Sequence, residues 1–255
     1  GGMSFDRKTS FNDQPFTQTL EPEVQYLYIP YKNQNNIGLY DTTNMQSDYY
    51  NLFSDRRFAG LDRISDANRV SYGATTRLFD SENTERLRFT LGQSYDLVAP
   101  QVTLLPNDTK QTNSRSLLSV RADAHPTDDW YMHTGTEYNT QTKKVSSGNG
   151  AVEYQQQKYT TQLNYRFVSK ENFVVDTSDN RRDISQAGAV VKLPINRDWQ
   201  LIGAHYRDTQ TGQNIDNLLG ARYDSCCWAV NFTFERHNAP DNTTLTAKPE
   251  TSYGL

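Results

Sequence analysis

The only two cysteines in this 255-residue chain are neighbours, in the stretch Tyr-Asp-Ser-Cys-Cys-Trp-Ala-Val at 223–230. A disulfide between adjacent residues closes a strained ring through one peptide bond. Cys226 and Cys227 are therefore either free thiols or bonded to cysteines outside these residues. Other reactive patterns are missing. The histidines, His125, His133, His205 and His237, are scattered and lack any His-Glu-x-x-His spacing. No Gly-x-Ser-x-Gly elbow occurs. Ser-Ser-Gly-Asn-Gly-Ala at 146–151 reads as a loop rather than a phosphate cradle, since no helix follows. The expectation is a protein that is not an enzyme, with no catalytic residue, metal site or cofactor. A net charge of −4 argues against a nucleic-acid partner.

The elements around these residues follow from periodicity. Hydrophobic residues make up only 35% of the chain, yet there are 16 Tyr and 11 Phe. No apolar run approaches the length of a membrane-spanning helix, and the opening Gly-Gly-Met-Ser-Phe-Asp-Arg has no apolar leader core. Over 85–97, Leu87, Phe89, Leu91, Tyr95 and Leu97 alternate with Arg86, Arg88, Thr90, Gly92, Ser94 and Asp96. The same period of two recurs at 69–78, 159–167 and 228–236, predicting strands with one apolar and one polar face. Runs of this length exceed a usual globular strand and suit a tilted bilayer crossing.

The connections sort into two alternating classes. Short, turn-rich links are expected at 10–15, 80–85, 125–129, 155–158, 194–198 and 223–227, and longer polar ones at 30–67, 98–113, 139–149, 169–183, 208–214 and 237–250. Outer-membrane barrels alternate short periplasmic turns with long extracellular loops. Asn83 then faces the periplasm, and Asn107 and Asn242 the outside. Tyr95, Trp130, Trp199 and Trp228 near strand ends suit an interfacial girdle. The expected fold is all-β: an antiparallel transmembrane β-barrel, present in part as about a dozen strands of a larger barrel, since both termini read as strand fragments. The Cys226–Cys227 turn falls in the periplasmic class. That compartment is oxidising, which favours disulfides to cysteines elsewhere over a pair of buried, inert thiols.

The stretch 46–80, with its core Arg-Phe-Ala-Gly-Leu-Asp-Arg-Ile-Ser-Asp-Ala-Asn-Arg-Val from Arg57 to Val70, resembles the LptD family of lipopolysaccharide-assembly outer-membrane proteins. So do 18–31, 185–209 and the cysteine-pair hairpin 218–236. The resemblance implies that residues 1–255 are the C-terminal portion of the family's barrel domain, its N-terminal periplasmic domain and first barrel strands lying outside this chain. It implies that Cys226 and Cys227 each bond to a cysteine in or near that domain. It implies a translocon that inserts lipopolysaccharide into the outer leaflet of the Gram-negative outer membrane. An LptE-type lipoprotein would plug the lumen, and periplasmic bridge proteins would deliver lipid through the absent domain. The barrel itself would be surrounded by outer-membrane lipid.

Arg69, Arg77, Arg86, Arg88 and Arg166 fall on polar strand faces and are candidates for facing the lumen, the plug and an anionic sugar chain; structural ion pairs are the alternative for each. The long 30–67 link carries Arg57, Asp62, Arg63 and Asp66 as a candidate charged network, packed by Phe53, Phe58, Leu61 and Ile64. It either folds into the lumen or packs on itself outside. The competing function is a passive or substrate-specific porin, which has no reason to staple a periplasmic turn to another domain.

Overall fold

Alternating residues leave a strand one way to separate apolar from polar groups, on opposite faces, and this dictates most of the chain. The computed structural model describes residues 1–45, 47–105, 114–172, 182–239 and 248–254. Strands Phe5–Phe11 (β1) and Gln14–Ile29 (β2) come first, then Thr43–Asn44 (β3), one helical turn Tyr49–Leu52 (α1) and Phe58–Ala59 (β4). Ala67–Phe79 (β5), Glu85–Asp96 (β6), Leu118–Ala124 (β7), Trp130–Asn139 (β8) and Lys144–Gln156 (β9) follow. The last are Tyr159–Val168 (β10), Ile184–Pro194 (β11), Trp199–Asp208 (β12), Asn214–Asp224 (β13), Ala229–Ala239 (β14) and Lys248–Gly254 (β15). Thirteen strands hydrogen-bond in the order β1-β2-β5-β6-β7-β8-β9-β10-β11-β12-β13-β14-β15, and β3 pairs with β4 apart from them. This up-and-down antiparallel order is that of a partial barrel wall, as periodicity predicts.

Several turns show why the hairpins close where they do. Asn12 and Asp13 both take positive φ, 47° and 62°, the two-residue turn whose twist matches a hairpin. Between β5 and β6, the Asp80 carboxylate accepts from the backbone N–H groups of Glu82 and Thr84 and from Arg86. Asn83 lies in that turn at φ 63°. Asn107 and Asn242 lie outside the described residues.

Two expectations need correction. The link predicted at 139–149 is only the turn between Asn139 and Lys144, and residues 146–151 are strand, not loop. Glycine hides the alternation there: Gly148 and Gly150 pair with Phe167 and Tyr165 of β10, so at these two positions that face of β9 has no side chain to signal it. The link between β12 and β13, Asp208 to Asn214, is also short. By strand bounds the alternation of link lengths thus holds at 30–66, 97–117, 169–183 and 240–247 and fails at the two links just described.

The chain comprises two compact units, Gly1–Asp123 with Gly135–Ser146, and Ala124–Thr134 with Ser147–Leu255. In the first, Leu20, Val24, Tyr26, Tyr72, Leu87, Phe89 and Leu91 are exposed strand residues, whereas Ser71, Thr75, Thr90 and Ser94 are buried. Register makes the division systematic: Ser71 pairs with Ser94 and Thr75 with Thr90 on one face, Ala74 with Leu91 and Thr76 with Phe89 on the other. The buried apolar side chains described in this unit, Tyr49, Leu52, Phe58 and Val102, come from the connections or the short β3–β4 insert. In the second unit Leu163, Tyr165, Leu201, Leu219, Phe232 and Phe234 are exposed in phase. A water-soluble sheet buries such residues; an outer-membrane wall turns them to lipid.

Candidate functional site: the insert on the polar face

Between β2 and β5 the chain makes a long excursion that returns onto the polar face of β5 and β6. Two glycines make the seat. Gly73 and Gly92 are cross-strand partners, and a Cβ at either would lie 2.8 Å from the Tyr49 ring. Their bare backbone is what admits the aromatic ring. Ser71 Oγ donates to the Leu52 carbonyl, and Thr75 Oγ1 lies 3.2 Å from Thr90 Oγ1. The Arg69 guanidinium donates to the Ser54 carbonyl. Asp48 caps α1, accepting from Asn51 N at 2.9 Å.

The rest of the insert is ordered by carboxylates and one guanidinium. Asp62 Oδ2 accepts from Tyr40 N at 2.8 Å, Asp41 N at 2.9 Å and Thr42 Oγ1 at 3.2 Å. Bonds from the Asp41 and Tyr40 backbone hold its carboxyl below the usual carboxylate range. Asp66 accepts from Gln101 N and Val102 N, tying the insert to the segment after β6. Arg63 is buried and donates to the carbonyls of Ile37 (2.8 Å), Asp62 (3.0 Å) and Leu104 (3.3 Å). Gln34 and Ile64 exchange two hydrogen bonds, at 2.7 and 2.9 Å. Arg57 stacks over the Phe58 ring with 5.7 Å to its centroid. Burial draws its guanidinium below the ordinary arginine value, against the opposing pull of Asp96 and Asp66. Asp62, Arg63 and Asp66 therefore cap and clip backbone rather than forming the mutual network expected from sequence.

The candidate lumen arginines fare differently from one another. Arg77 bridges Glu21 (3.2 Å) and Glu85 (3.6 Å), and Arg88 meets Glu85 at 2.8 Å. Arg86 binds Asp80 at 2.6 Å at the turn. A backbone bond from Thr84 and then the Arg86 guanidinium keep the Asp80 carboxyl below its ordinary range. Arg166 is exposed on the polar face of β10. Arg77 and Arg88, with Tyr49, Tyr50, Phe53 and Glu21, line a cavity of about 650 Å³ beneath the insert. The Gly73–Gly92 seat, Tyr49 and Asp96 opposite Arg69 were not singled out from sequence. The signal was available: two glycines on the polar face of neighbouring strands, one long loop away from an aromatic run.

At the turn between β13 and β14, Cys226 and Cys227 are free and exposed. Their sulfurs are 3.0 Å apart. The contact with Cys227, then Ser225, lowers the Cys226 thiol, and the same contact raises Cys227. Exposed thiols on a short turn can be reached by cysteines from elsewhere. Among the described residues no cluster of three or more His, Cys, Asp or Glu is arranged to hold a metal ion.

An inside-out sheet, a polar face covered by its own loop and a paired-cysteine turn are the features to compare with known proteins. The family profile LptD, LPS transport system D, matches residues 1–199. The chain is 47% identical over its full length to the LPS-assembly protein LptD of Aeromonas salmonicida, and 46% identical to that of Aeromonas hydrophila. It is 40% identical over 243 residues, 91% of the chain, to the protein of Vibrio cholerae. It spans about a third of the length of these relatives, 32%, 32% and 31%. A match of this extent, carried by the strands and the insert alike, makes the chain a member of the LptD family.

Proposed function

We propose that this chain is part of an outer-membrane translocon that inserts lipopolysaccharide into the outer leaflet, with a lipoprotein of the LptE type seated against its polar face. The reading rests above all on one observation: the strands expose their apolar side chains and bury serine and threonine, the inverse of a soluble sheet and the arrangement a lipid-embedded wall requires. Family membership supports lipopolysaccharide as the substrate, since the relatives are named for LPS assembly. On this reading residues 1–255 are the C-terminal portion of the barrel domain, and periplasmic bridge proteins act through an N-terminal domain outside it. Cys226 and Cys227 each bond to a cysteine of that domain. Arg69, Arg77, Arg86, Arg88 and Arg166 belong to the water-facing interior.

The mechanism asks little chemistry of the chain. An amphipathic substrate needs a polar passage for its sugars and continuous lipid for its acyl tails. The polar face provides the first and the apolar face the second. The test is conditional depletion of the full-length protein in cells, with rescue by a plasmid copy. The expected result is loss of surface lipopolysaccharide and sensitivity to large hydrophobic antibiotics, both restored by the copy. Normal surface lipopolysaccharide after depletion overturns the proposal.

A further inference from the structure

The register of the second unit sorts every ionisable group in β10 to β14 onto one face or the other. Across β12, β13 and β14, Leu201, Ala221 and Phe232 form one row of cross-strand partners. Gly203, Leu219 and Phe234 form the next, and His205, Asn217 and Arg236 the one after. All three rows share the apolar face, because successive rows are two residues apart. Arg207 lies on that face one step further along β12. All four acids of these strands, Asp208, Asp216, Asp224 and Glu235, have the opposite phase. The apolar face of β10 to β14 thus carries His205, Arg207 and Arg236, no acid, and all three bases at one end.

That end is opposite the aromatic one. Trp199, Tyr223 and Trp228 stack in series at the cysteine turn, with ring centroids 5.1 and 4.9 Å apart. From Trp228 to Arg236 is roughly 26 Å along the strand at ~3.3 Å per residue. A tilt of about 40° reduces this to roughly 20 Å of membrane depth, close to the ~25 Å apolar band of such walls. The bases therefore sit at the upper edge of the band, in reach of headgroups, where a long guanidinium stem can stay in the apolar layer.

Local geometry turns the row into a recess. Ala187 and Ala189 of β11 pair with Arg207 and His205 on one side and with Tyr165 and Leu163 of β10 on the other. Two small residues between taller neighbours leave a shallow groove. The His205 Nδ1 lies 2.7 Å from Asn217 Oδ1, which orients the ring. Arg207 Nε donates to the Gly212 carbonyl at 2.9 Å, fixing the guanidinium beside that turn. His205, Arg207 and Arg236 are all exposed.

We propose that His205, Arg207 and Arg236 bind the phosphorylated headgroup of an outer-leaflet glycolipid, with an acyl chain lying in the Ala187–Ala189 groove. This is a lipid site on the outside of the wall, separate from the polar face. It rests on the membrane reading above. Charge complementarity carries it: three bases with no acid on the same face select an anionic group, and the apolar rows beneath select one attached to a hydrocarbon chain.

The test uses the purified full-length protein in detergent and counts bound lipid by native mass spectrometry. The probes are a bisphosphorylated hexa-acyl glycolipid, the same lipid with its phosphates removed, and inorganic phosphate. The phosphorylated lipid should bind roughly 25-fold more tightly than the dephosphorylated one, at about a fivefold gain for each of the two arginines near the surface. Arg207→Gln with Arg236→Gln should abolish the difference. Lys192→Gln with Arg222→Gln, which removes two charges from the polar face, should leave it intact. Equal binding of the two lipids to the unaltered protein overturns the site and needs no variant to fold. So does an equal loss in the polar-face variant, or displacement of the lipid by equimolar inorganic phosphate. Restored export without any phosphate dependence sinks this site alone, and phosphate-dependent binding without restored export sinks the export reading alone.

Discussion

At Gly92 a single hydrogen stands where a side chain would strike the Tyr49 ring. Gly92→Val should displace α1 from the polar face at a cost of about 1–3 kcal/mol, the range for forcing bulk into a packed site. Tryptic cleavage after Arg56 or Arg57 in the folded protein would report the release. Cleavage no faster than in the unaltered protein would mean that the insert is held elsewhere. Asp62 gives a second prediction. Its folded carboxyl lies below the usual range because it accepts from Asp41 and Tyr40. Its stabilisation is therefore fully present above the unfolded value of about 3.9 and is lost as pH falls through the lower folded value. Hydrogen exchange at the Tyr40 and Asp41 amides should stay slow down to about pH 4 and accelerate below it. In Asp62→Ala, which removes the accepting oxygen, both amides should exchange fast at every pH, and an unchanged profile would rule out the cap. At this scale the sequence was partly legible. Composition marked Asp62, Arg63 and Asp66 as important but not as binders of backbone, because the carbonyls and amides they serve are up to 41 residues away.

The strand is the scale at which reading was most direct. Period two assigns each side chain to a face without any knowledge of the fold, and Leu87, Phe89 and Leu91 are exposed as that rule requires. Where it failed, at 146–151, the missing signal was physical: glycine opposite Phe167 and Tyr165 offers no side chain to alternate. The strand faces also set an energetic contrast. Phe232 is 46% exposed on the apolar face, and Asn231 is exposed on the other. Phe232→Arg should destabilise the folded protein by about 2–4 kcal/mol if it sits near the bilayer midplane, and Asn231→Arg by less than about 1 kcal/mol. Urea titration in phospholipid vesicles measures both. Equal costs would mean that both faces meet the same medium.

At the scale of the whole molecule, the proposed role of Cys226 and Cys227 is to connect this turn to another domain. If each thiol forms its own bond to that domain, either alone still tethers the turn, so Cys226→Ser or Cys227→Ser should be tolerated in cells. The double variant should lose surface lipopolysaccharide and become sensitive to large hydrophobic antibiotics. A double variant with an intact permeability barrier would make the tether dispensable, and a mass-spectrometric map joining Cys226 to Cys227 would exclude it. Partners outside the chain are the part that residues 1–255 could never reveal by pattern. Periodicity describes a chain's own faces and says nothing about what is bonded to them.

The strand order has a kinetic consequence. When each strand pairs with its neighbour in sequence, most closures are short hairpins, and pairing can spread like a zip from any one of them. The step from β2 to β5 is different, because residues 30–66 must be looped out before Thr17 meets Phe79. Each doubling of loop length costs only about 0.6 kcal/mol of closure entropy, so that step is slowed rather than forbidden. Tyr49 can settle on Gly73 and Gly92 only after β5 and β6 have paired. The insert is therefore a late-forming element, and the polar face stays open until the wall beneath it exists.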